Sequence, residues 1–264
     1  MELESVWTFF FDPQILASTA KRYHESYTQA RPFPHVVIDD FFPEGVVAEV
    51  LKEFPSPSEI PWRRHEHAYS KKLATENEIQ IGNFTRHFIA QLNSAVFIDF
   101  LEMLTDIEGL IPDPHLMGGG LHQIERGGYL GIHADFNVHP RLKLDRRLNL
   151  LLYLNKNWDE AYGGHLELWN REMTQCEKRL LPVFNRLVVF NTTDFSFHGH
   201  PLPLTCPPER ARKSLALYYY TNGRPSEEVS ASHSTLYQKR PQESLGEDKT
   251  ISAKRFFKKL ISFR

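Results

Sequence analysis

With 264 residues, the chain is long enough for one large domain with a full hydrophobic core and a deep pocket. A net charge of -2 gives no general attraction to nucleic acid, and 41% hydrophobic content argues against extensive disorder. The acidic N-terminus does not resemble a secretory signal, no apolar run reaches ~18 residues, and the two cysteines suggest neither a disulfide framework nor a zinc cluster. We therefore expect a cytoplasmic protein.

Residues 1–111 are predicted to form a mixed α/β region that packs on the rest of the chain. Its pattern predicts a helix near residues 13–30, a strand at "HVVIDDFF" and a helix in "PEGVVAEVLKEF". Residues 55–83 show no clear period, and His65 and His67 within them are interpreted as solvated. One amphipathic helix is predicted over "NFTRHFIAQLNSAVFIDFLEML".

From residue 112 onwards the chain consists of short apolar or alternating runs broken by Gly, Pro and Asn. Six strands are predicted, namely "LHQIE", "YLGIHADF", "RRLNLLLYLN", "HLELW", "RLVVFN" and "KSLALYYYT". Because no helices lie between them, a β sandwich or barrel is expected. The predicted fold class is mainly β with flanking helices, and residues 112–222 are its core.

The C-terminal extension, residues 223–264, is polar as far as Lys249 and is predicted to be an extended loop. It ends in "AKRFFKKLISFR", which predicts a basic amphipathic helix. Residues 251–264 are therefore a candidate contact with an anionic membrane surface or a partner; the alternative is a terminal helix that packs on its own domain.

The stretch "GIHADFN" places His133 and Asp135 two residues apart, so that in a strand both side chains point to one face. Chance predicts about 0.5 such HxD pairs in this composition, so a further ligand is needed. "FSFHGHP" supplies His198 and, as the alternative, His200. Two histidines and one carboxylate on one face of an ion are the ligand set of non-heme Fe(II) oxygenases.

A carboxylate-binding element is predicted in "RARKSLALYYYT", where Arg212 and Ser214 share one face of a strand. A charged hydrogen bond from a guanidinium to a buried carboxylate contributes ~1.5–3 kcal/mol. The alternatives are a salt bridge at the barrel edge or Arg210 as the anchor. Tyr153 lies on the mixed face of "RRLNLLLYLN", opposite an all-leucine face, and is either a second donor to the same carboxylate or a packed core residue.

Four further residues are candidate substrate contacts, with a structural role as the alternative for each: Asn137, Arg147, Trp169 and Tyr129. The glycines of "MGGG" and "ERGGY" are interpreted as turns, because no strand and helix flank them in the order that a phosphate cradle requires.

Six motifs together resemble a known family. In order along about residues 118–220, "HAD", "YLNKNW", "GGHLELW", "FNRLVVFN", "FHGHP" and "RKSLALYYY" are similar to the 2-oxoglutarate and Fe(II)-dependent dioxygenases, within their prolyl 4-hydroxylase-like group. The resemblance implies a double-stranded β-helix core of the jelly-roll, cupin-like kind. It also implies catalytic iron bound by His133, Asp135 and His198, and 2-oxoglutarate bound by Arg212, Ser214 and Tyr153.

The activity implied by this resemblance is hydroxylation of an unactivated C–H bond with O2, with release of succinate and CO2 from 2-oxoglutarate and with ascorbate as a candidate reductant. The acceptor is left open among a small molecule, a sugar derivative, a lipid-linked intermediate and a peptidyl proline. Many prolyl hydroxylases carry a Tyr where this chain has Gln123, with His122 beside it, which counts against a prolyl acceptor. A catalytically silent jelly-roll binding module is the alternative to an enzyme.

Overall fold

The computed structural model describes residues 9–75, 77–241 and 243. Within these residues there are four complete α-helices, α1 (Pro13–Thr28), α2 (Glu44–Lys52), α3 (Asn83–Leu92) and α4 (Ala95–Thr105). Its strands are β1 (His35–Ile38), β2 (Arg63–His67), β3 (Ser70–Ala74), β4 (Ile111–Pro112), β5 (Gly120–Glu125), β6 (Tyr129–Ala134), β7 (Asp145–Tyr153), β8 (Leu166–Trp169), β9 (Cys176–Leu180), β10 (Leu187–Asn191), β11 (His198–His200), β12 (Ala211–Thr221) and β13 (Leu236–Tyr237).

All thirteen strands belong to one curled antiparallel sheet, in the order β1-β10-β7-β12-β5-β3-β6-β11-β8-β9. The remaining strands join this path at its sides, with β13 on β6, β2 on β3 and β4 on β12. The mainly β fold is therefore confirmed. Strands from both flanks of the core take part, because β1 and β3 come from the N-terminal region and β13 comes from the C-terminal extension.

The outer face of the sheet packs against the helices. Leu148, Leu150 and Leu152 on β7 are fully buried, in one cluster with apolar side chains of all four helices. Burying each such leucine contributes ~1.5–3 kcal/mol, so this face holds the helices against the sheet. The interpretation of the all-leucine face as packing is confirmed, and the opposite face of the sheet is left to line a cavity.

The long helix predicted from residue 83 is two helices, α3 and α4, bent by 50°. The break falls at Asn93 and Ser94, and the Ser94 hydroxyl donates to the Gln91 carbonyl oxygen at 2.6 Å. Such short polar side chains compete for helical backbone groups, and periodicity alone does not show this. No single helix in the described ranges is long and apolar enough to cross a membrane, although the bent pair meets that test together by length and composition.

Residues 55–83 contain more structure than their pattern suggested, since β2 and β3 form a hairpin there. Three further strands, β4, β9 and β11, were not predicted. The described part of the polar segment after Asn222 includes one short 3-10 turn, Ser226–Glu228, and β13. The basic amphipathic helix predicted in residues 251–264 lies outside the described residues.

Candidate active site

The three predicted metal ligands come together where β6 and β11 are paired. His133 lies on β6, Asp135 directly follows this strand, and His198 opens β11 opposite His133. Their ligand atoms all lie within 4.8 Å of one another. The Nε2 atoms of His133 and His198 are each 3.5 Å from an oxygen of the Asp135 carboxylate.

Backbone carbonyl groups fix the orientation of both imidazoles. His133 Nδ1 is 2.9 Å from the Gly131 oxygen, and His198 Nδ1 is 2.9 Å from the Ser196 oxygen. Because a carbonyl only accepts, each Nδ1 carries the proton and each Nε2 presents its lone pair to the centre. Burial, with the nearby His133, lowers the pKa of His198 to about 4, so that this ligand is neutral at physiological pH.

A buried polar network holds the Asp135 carboxylate. Asn149 Nδ2 donates to Asp135 Oδ2 at 2.7 Å, and Arg146 Nη2 lies 3.1 Å from the same oxygen. The Arg146 guanidinium also donates to Asn149 Oδ1 and stacks on the ring of Tyr218, 3.5 Å from its centroid. Burial alone would raise the pKa of Asp135, but Arg146 and His198 hold it well below its usual range.

Sequence alternation did not identify Arg146, because β7 contains a β-bulge. Tyr219 pairs with Leu148 but Tyr220 pairs with Arg146, which leaves Arg147 as the extra residue. The bulge turns Arg146 toward the metal ligands. Arg147 instead contacts Glu228 at 3.5 Å, outside the cavity.

The donor set fits a divalent transition metal with open coordination positions. Two imidazoles and one ionised carboxylate, all fixed by neighbouring hydrogen bonds, suit Fe(II). His133, Asp135 and His198 are therefore the residues that could bind the ion.

An inner pocket of about 70 Å³ extends from these ligands toward Arg212. Arg212 Nε donates to the Gly164 oxygen at 2.8 Å and Nη2 donates to the Tyr153 hydroxyl at 3.1 Å, while Ser214 lines the same pocket. A guanidinium held in this way, with a hydroxyl on the same strand, fits the carboxylate of a keto acid. Gly164 has φ +74°, and a Cβ there would lie 2.9 Å from Arg212 Cδ, so the arginine needs glycine at this position.

The alternatives raised by the sequence have distinct places in the structure. His200 is outside the metal cluster but lines the inner pocket, and both its ring nitrogens are buried without a hydrogen-bond partner in the described part of the chain. Tyr153 is fully buried behind Arg212 rather than lining the pocket, so it positions the guanidinium. Arg210 donates to the Lys156 carbonyl and lies beside Trp158, away from the pocket.

The four candidate substrate contacts line neither the inner pocket nor the larger cavity that opens outside the metal ligands. Asn137 binds the backbone of Ala231 and His233, and Arg147 pairs with Glu228. The Trp169 indole donates to the Glu167 carboxylate, and the Tyr129 hydroxyl donates to the His67 carbonyl oxygen. These are structural contacts, the alternative that the sequence had left open.

A larger cavity of about 670 Å³ opens outside the metal ligands. One wall is the β2–β3 hairpin, and the other is the strap, which we define as residues 230–237. Asn137 holds the strap by accepting from the His233 backbone N–H at 2.9 Å. Hairpin and strap meet where the Tyr69 and Tyr237 rings stack with centroids 4.7 Å apart.

The hairpin supplies two cavity residues that the sequence did not predict as functional. Lys72 lines both the outer cavity and the inner pocket, and half-buried His65 lines the outer cavity instead of being solvated. Burial lowers the pKa of His65 to about 4. The charged, aperiodic sequence around these residues did not predict a cavity position, because only the pairing of β3 with β5 and β6 brings them inward.

On β5, His122 rather than Gln123 lines the inner pocket.

A curled antiparallel sheet that presents a buried His-Asp-His cluster defines a class of non-heme metal-dependent oxygenases. Residues 119–220 match the sequence model of the 2OG-Fe(II) oxygenase superfamily. The core of this chain is therefore similar in sequence to that superfamily.

A curated relative shows a similarity that extends beyond this region. The chain is 28% identical over 200 residues to the mouse protein "Prolyl 3-hydroxylase OGFOD1", an alignment that covers 72% of this chain but only 33% of the mouse protein. The chain thus corresponds to about a third of that relative's length.

Two solved structures share the fold. One is a prolyl-4-hydroxylase from Pseudomonas putida (TM-score 0.54, 17% identity, covering 79% of this chain and 100% of that one). The other is a prolyl hydroxylase from Trichoplax adhaerens, in complex with a peptide fragment of the hypoxia inducible factor oxygen degradation domain (TM-score 0.56, 17% identity, covering 83% and 94%). The predicted double-stranded β-helix is confirmed by these neighbours.

Proposed function

We propose that this protein is a 2-oxoglutarate and Fe(II)-dependent hydroxylase that inserts one oxygen atom of O2 into an unactivated C–H bond of an acceptor. Bound iron supplies the oxidising chemistry, and 2-oxoglutarate leaves as succinate and CO2. The observation that carries the proposal is the position of the His133, Asp135 and His198 cluster, which lies between an inner pocket lined by Arg212 and a cavity open to an acceptor.

The chain's own residues have defined tasks in this proposal. His133, Asp135 and His198 would bind the ion, with Arg146 and Asn149 orienting the carboxylate. The distal carboxylate of 2-oxoglutarate would bind Arg212 and Ser214, and Tyr153 would keep the guanidinium in place. These contacts fix the co-substrate relative to the ion, and the hairpin and the strap limit access of water to it.

The acceptor is proposed to be a peptide or a small molecule, and a peptidyl proline is the first one to test. The mouse relative is named a prolyl 3-hydroxylase, and the Trichoplax structure holds a peptide in a prolyl hydroxylase. Ascorbate is proposed as a reductant. A reducing compartment such as the cytoplasm suits Cys176 and Cys206, both of which are free.

Co-substrate binding can be tested without knowing the acceptor. Anaerobic addition of Fe(II) and 2-oxoglutarate should produce the weak visible charge-transfer band of a chelated keto acid. Loss of a charged hydrogen bond of ~1.5–3 kcal/mol means that Arg212→Ala should weaken 2-oxoglutarate binding by roughly 10- to 150-fold. Titration of the band with 2-oxoglutarate measures this.

Arg210→Ala is the matched control, because this neighbouring guanidinium lies outside the pocket. It should bind 2-oxoglutarate as the unmodified protein does. Equal weakening in both variants, or no band with folded protein, would contradict the proposal. A band without succinate formation in any acceptor screen would instead favour a binding module.

A further inference from the structure

The outer cavity carries an excess of positive charge. Of the described residues that line it, the basic ones are Arg63, Lys72, Lys143 and Arg146, and the only carboxylate is Asp135. The protein as a whole has a net charge of -2, so this composition is local to the cavity. His139 and His233 also line it, but each has a carboxylate neighbour, Asp113 at 3.3 Å and Asp194 at 2.9 Å respectively.

Lys72 stands where the outer cavity meets the inner pocket, since it lines both. Among the residues that the structure describes, none forms a hydrogen bond or an ion pair with its ammonium group. Burial lowers its pKa to about 8, because the attraction of Asp135 is offset by the guanidinium groups of Arg146 and Arg212. Lys72 therefore remains mostly charged at neutral pH, and a half-buried charge of this kind is stabilised by an anion.

Arg146, unlike Lys72, already has a counter-charge, because it is paired with Asp135 at 3.1 Å and stacked on Tyr218. The charges of the site with Fe(II) and 2-oxoglutarate bound also indicate that an anion is missing. Fe(II) with Arg146, Arg212 and Lys72 supplies five positive charges, whereas Asp135 and a 2-oxoglutarate dianion supply three negative ones. With both ligands bound, two positive charges stay without a counter-charge beside the open face of the site.

We propose that the acceptor carries an anionic group, a carboxylate or a phosphate, which binds Lys72 next to the carbon that is oxidised, with exposed Lys143 at the rim of the cavity. This inference rests on the proposed hydroxylase function and adds a substrate class to it. A cavity of about 670 Å³ is within the size range of small-molecule sites, roughly 300–1,000 Å³.

The binding test uses inorganic phosphate and the protein loaded anaerobically with Fe(II) and saturating 2-oxoglutarate. Calorimetric titration at constant ionic strength should show saturable binding at one site in the unmodified protein. Lys72→Met should weaken it by at least about 10-fold, since a charged hydrogen bond is lost.

Two control variants separate charge from structure. Lys71→Met changes the neighbouring residue, which is exposed and whose Nζ lies 3.9 Å from Glu66, and should bind phosphate normally. Lys72→Arg keeps the charge and should retain most of the binding. If Lys72→Arg loses phosphate binding as fully as Lys72→Met does, the charge-based role is wrong.

Two other outcomes overturn the inference: no saturable phosphate binding, or equal phosphate binding by Lys72→Met and the unmodified protein. If Lys72→Met binds phosphate equally but 2-oxoglutarate more weakly, Lys72 belongs to the co-substrate site. Failure of the hydroxylase proposal is visible separately, as absence of the charge-transfer band before phosphate is added.

Succinate release is then measured with matched acid and amide acceptors, both small molecules and prolyl peptides. This comparison distinguishes a free acid from an acidic peptide. Stimulation by the amides alone would also refute the inference.

Discussion

At the scale of single residues, the ligand set depends on a few polar side chains that satisfy one another in a buried region. Asn149 is the central member, since its amide nitrogen donates to Asp135 and its oxygen accepts from Arg146. The ligand and the guanidinium are thereby held in one arrangement before any ion binds.

Replacing Asn149 with leucine should damage both binding and stability. The change keeps the side-chain size but removes a donor from Asp135 and an acceptor from buried Arg146, so we expect metal affinity to fall roughly 10- to 100-fold. The free energy of unfolding should fall by about 1–3 kcal/mol. Competition with a metal chelator measures the first effect and urea unfolding the second. Unchanged metal affinity would show that Asn149 does not orient the ligand.

The sequence was sufficient to propose His133, Asp135 and His198. Side chains two residues apart share one face of a strand, and both the HxD pair and the distal HGH motif can be recognised without the fold. It was not sufficient for Arg146 or Lys72. Arg146 faces the site only because of a bulge, and bulges depend on the partner strand. Lys72 belongs to an irregular charged segment whose inward face is set by long-range pairing.

At the scale of elements, helix α3 begins without a capping side chain of its own. Its N-cap is Gly82, and the cap is supplied by Glu53 at the end of α2. The Glu53 carboxylate accepts from the Phe84 N–H at 3.1 Å and from the Thr85 N–H at 2.8 Å. A negative group at this position also favours the helix dipole, so α2 and α3 stabilise each other.

Glu53→Ala should therefore lower the free energy of unfolding by about 1–2 kcal/mol. Glu49→Ala on the same helix is the control. Among the described residues Glu49 pairs only with exposed Lys52, so its loss should cost less than about 0.5 kcal/mol. Urea unfolding midpoints measure both. Similar losses in the two variants would mean that the cap contributes little.

Periodicity predicted α1, α2 and most strands of the core, since each has a clear apolar face. It did not predict the break between α3 and α4, nor β9 and β11. Strand β11 has only three residues, and β9 is a polar edge strand with one exposed face. Such elements depend on their neighbours for stability rather than on an apolar pattern.

At the scale of the whole molecule, the N-terminal region is joined to the sheet by more than apolar packing. Strand β1 pairs with β10, and beyond this pairing Asp39 accepts two hydrogen bonds from Arg186, at 2.6 and 2.8 Å. These hydrogen bonds outweigh the effect of burial and lower the pKa of Asp39. The pair thus connects the N-terminal region to the sheet that carries the candidate metal ligands.

Because the pKa of Asp39 is lower in the folded state, its contribution to stability is present above the unfolded pKa of ~3.9 and is lost as pH falls through the folded pKa. Asp39→Asn should cost about 0.5–1 kcal/mol at pH 7, a small value because the carboxylate is 54% exposed. The difference should disappear at low pH. Unfolding measured across pH tests this, with exposed Asp40→Asn as a control that should leave stability unchanged.

The fold class could be predicted from composition and strand spacing, whereas the order of strands could not. Pairing of β1, β3 and β13 with core strands joins segments that are distant in sequence, and no local pattern specifies which edge a strand will cover. The cavity walls depend on these pairings, so their shape could be read only from the structure.

The participation of β1, β3 and β13 in the sheet limits how the chain can be shortened. A fragment trimmed to residues 119–220 would retain the metal ligands but lose the strands that cover β10 and β6. Their uncovered N–H and C=O groups would act as templates for another copy, and self-association into extended assemblies would compete with folding.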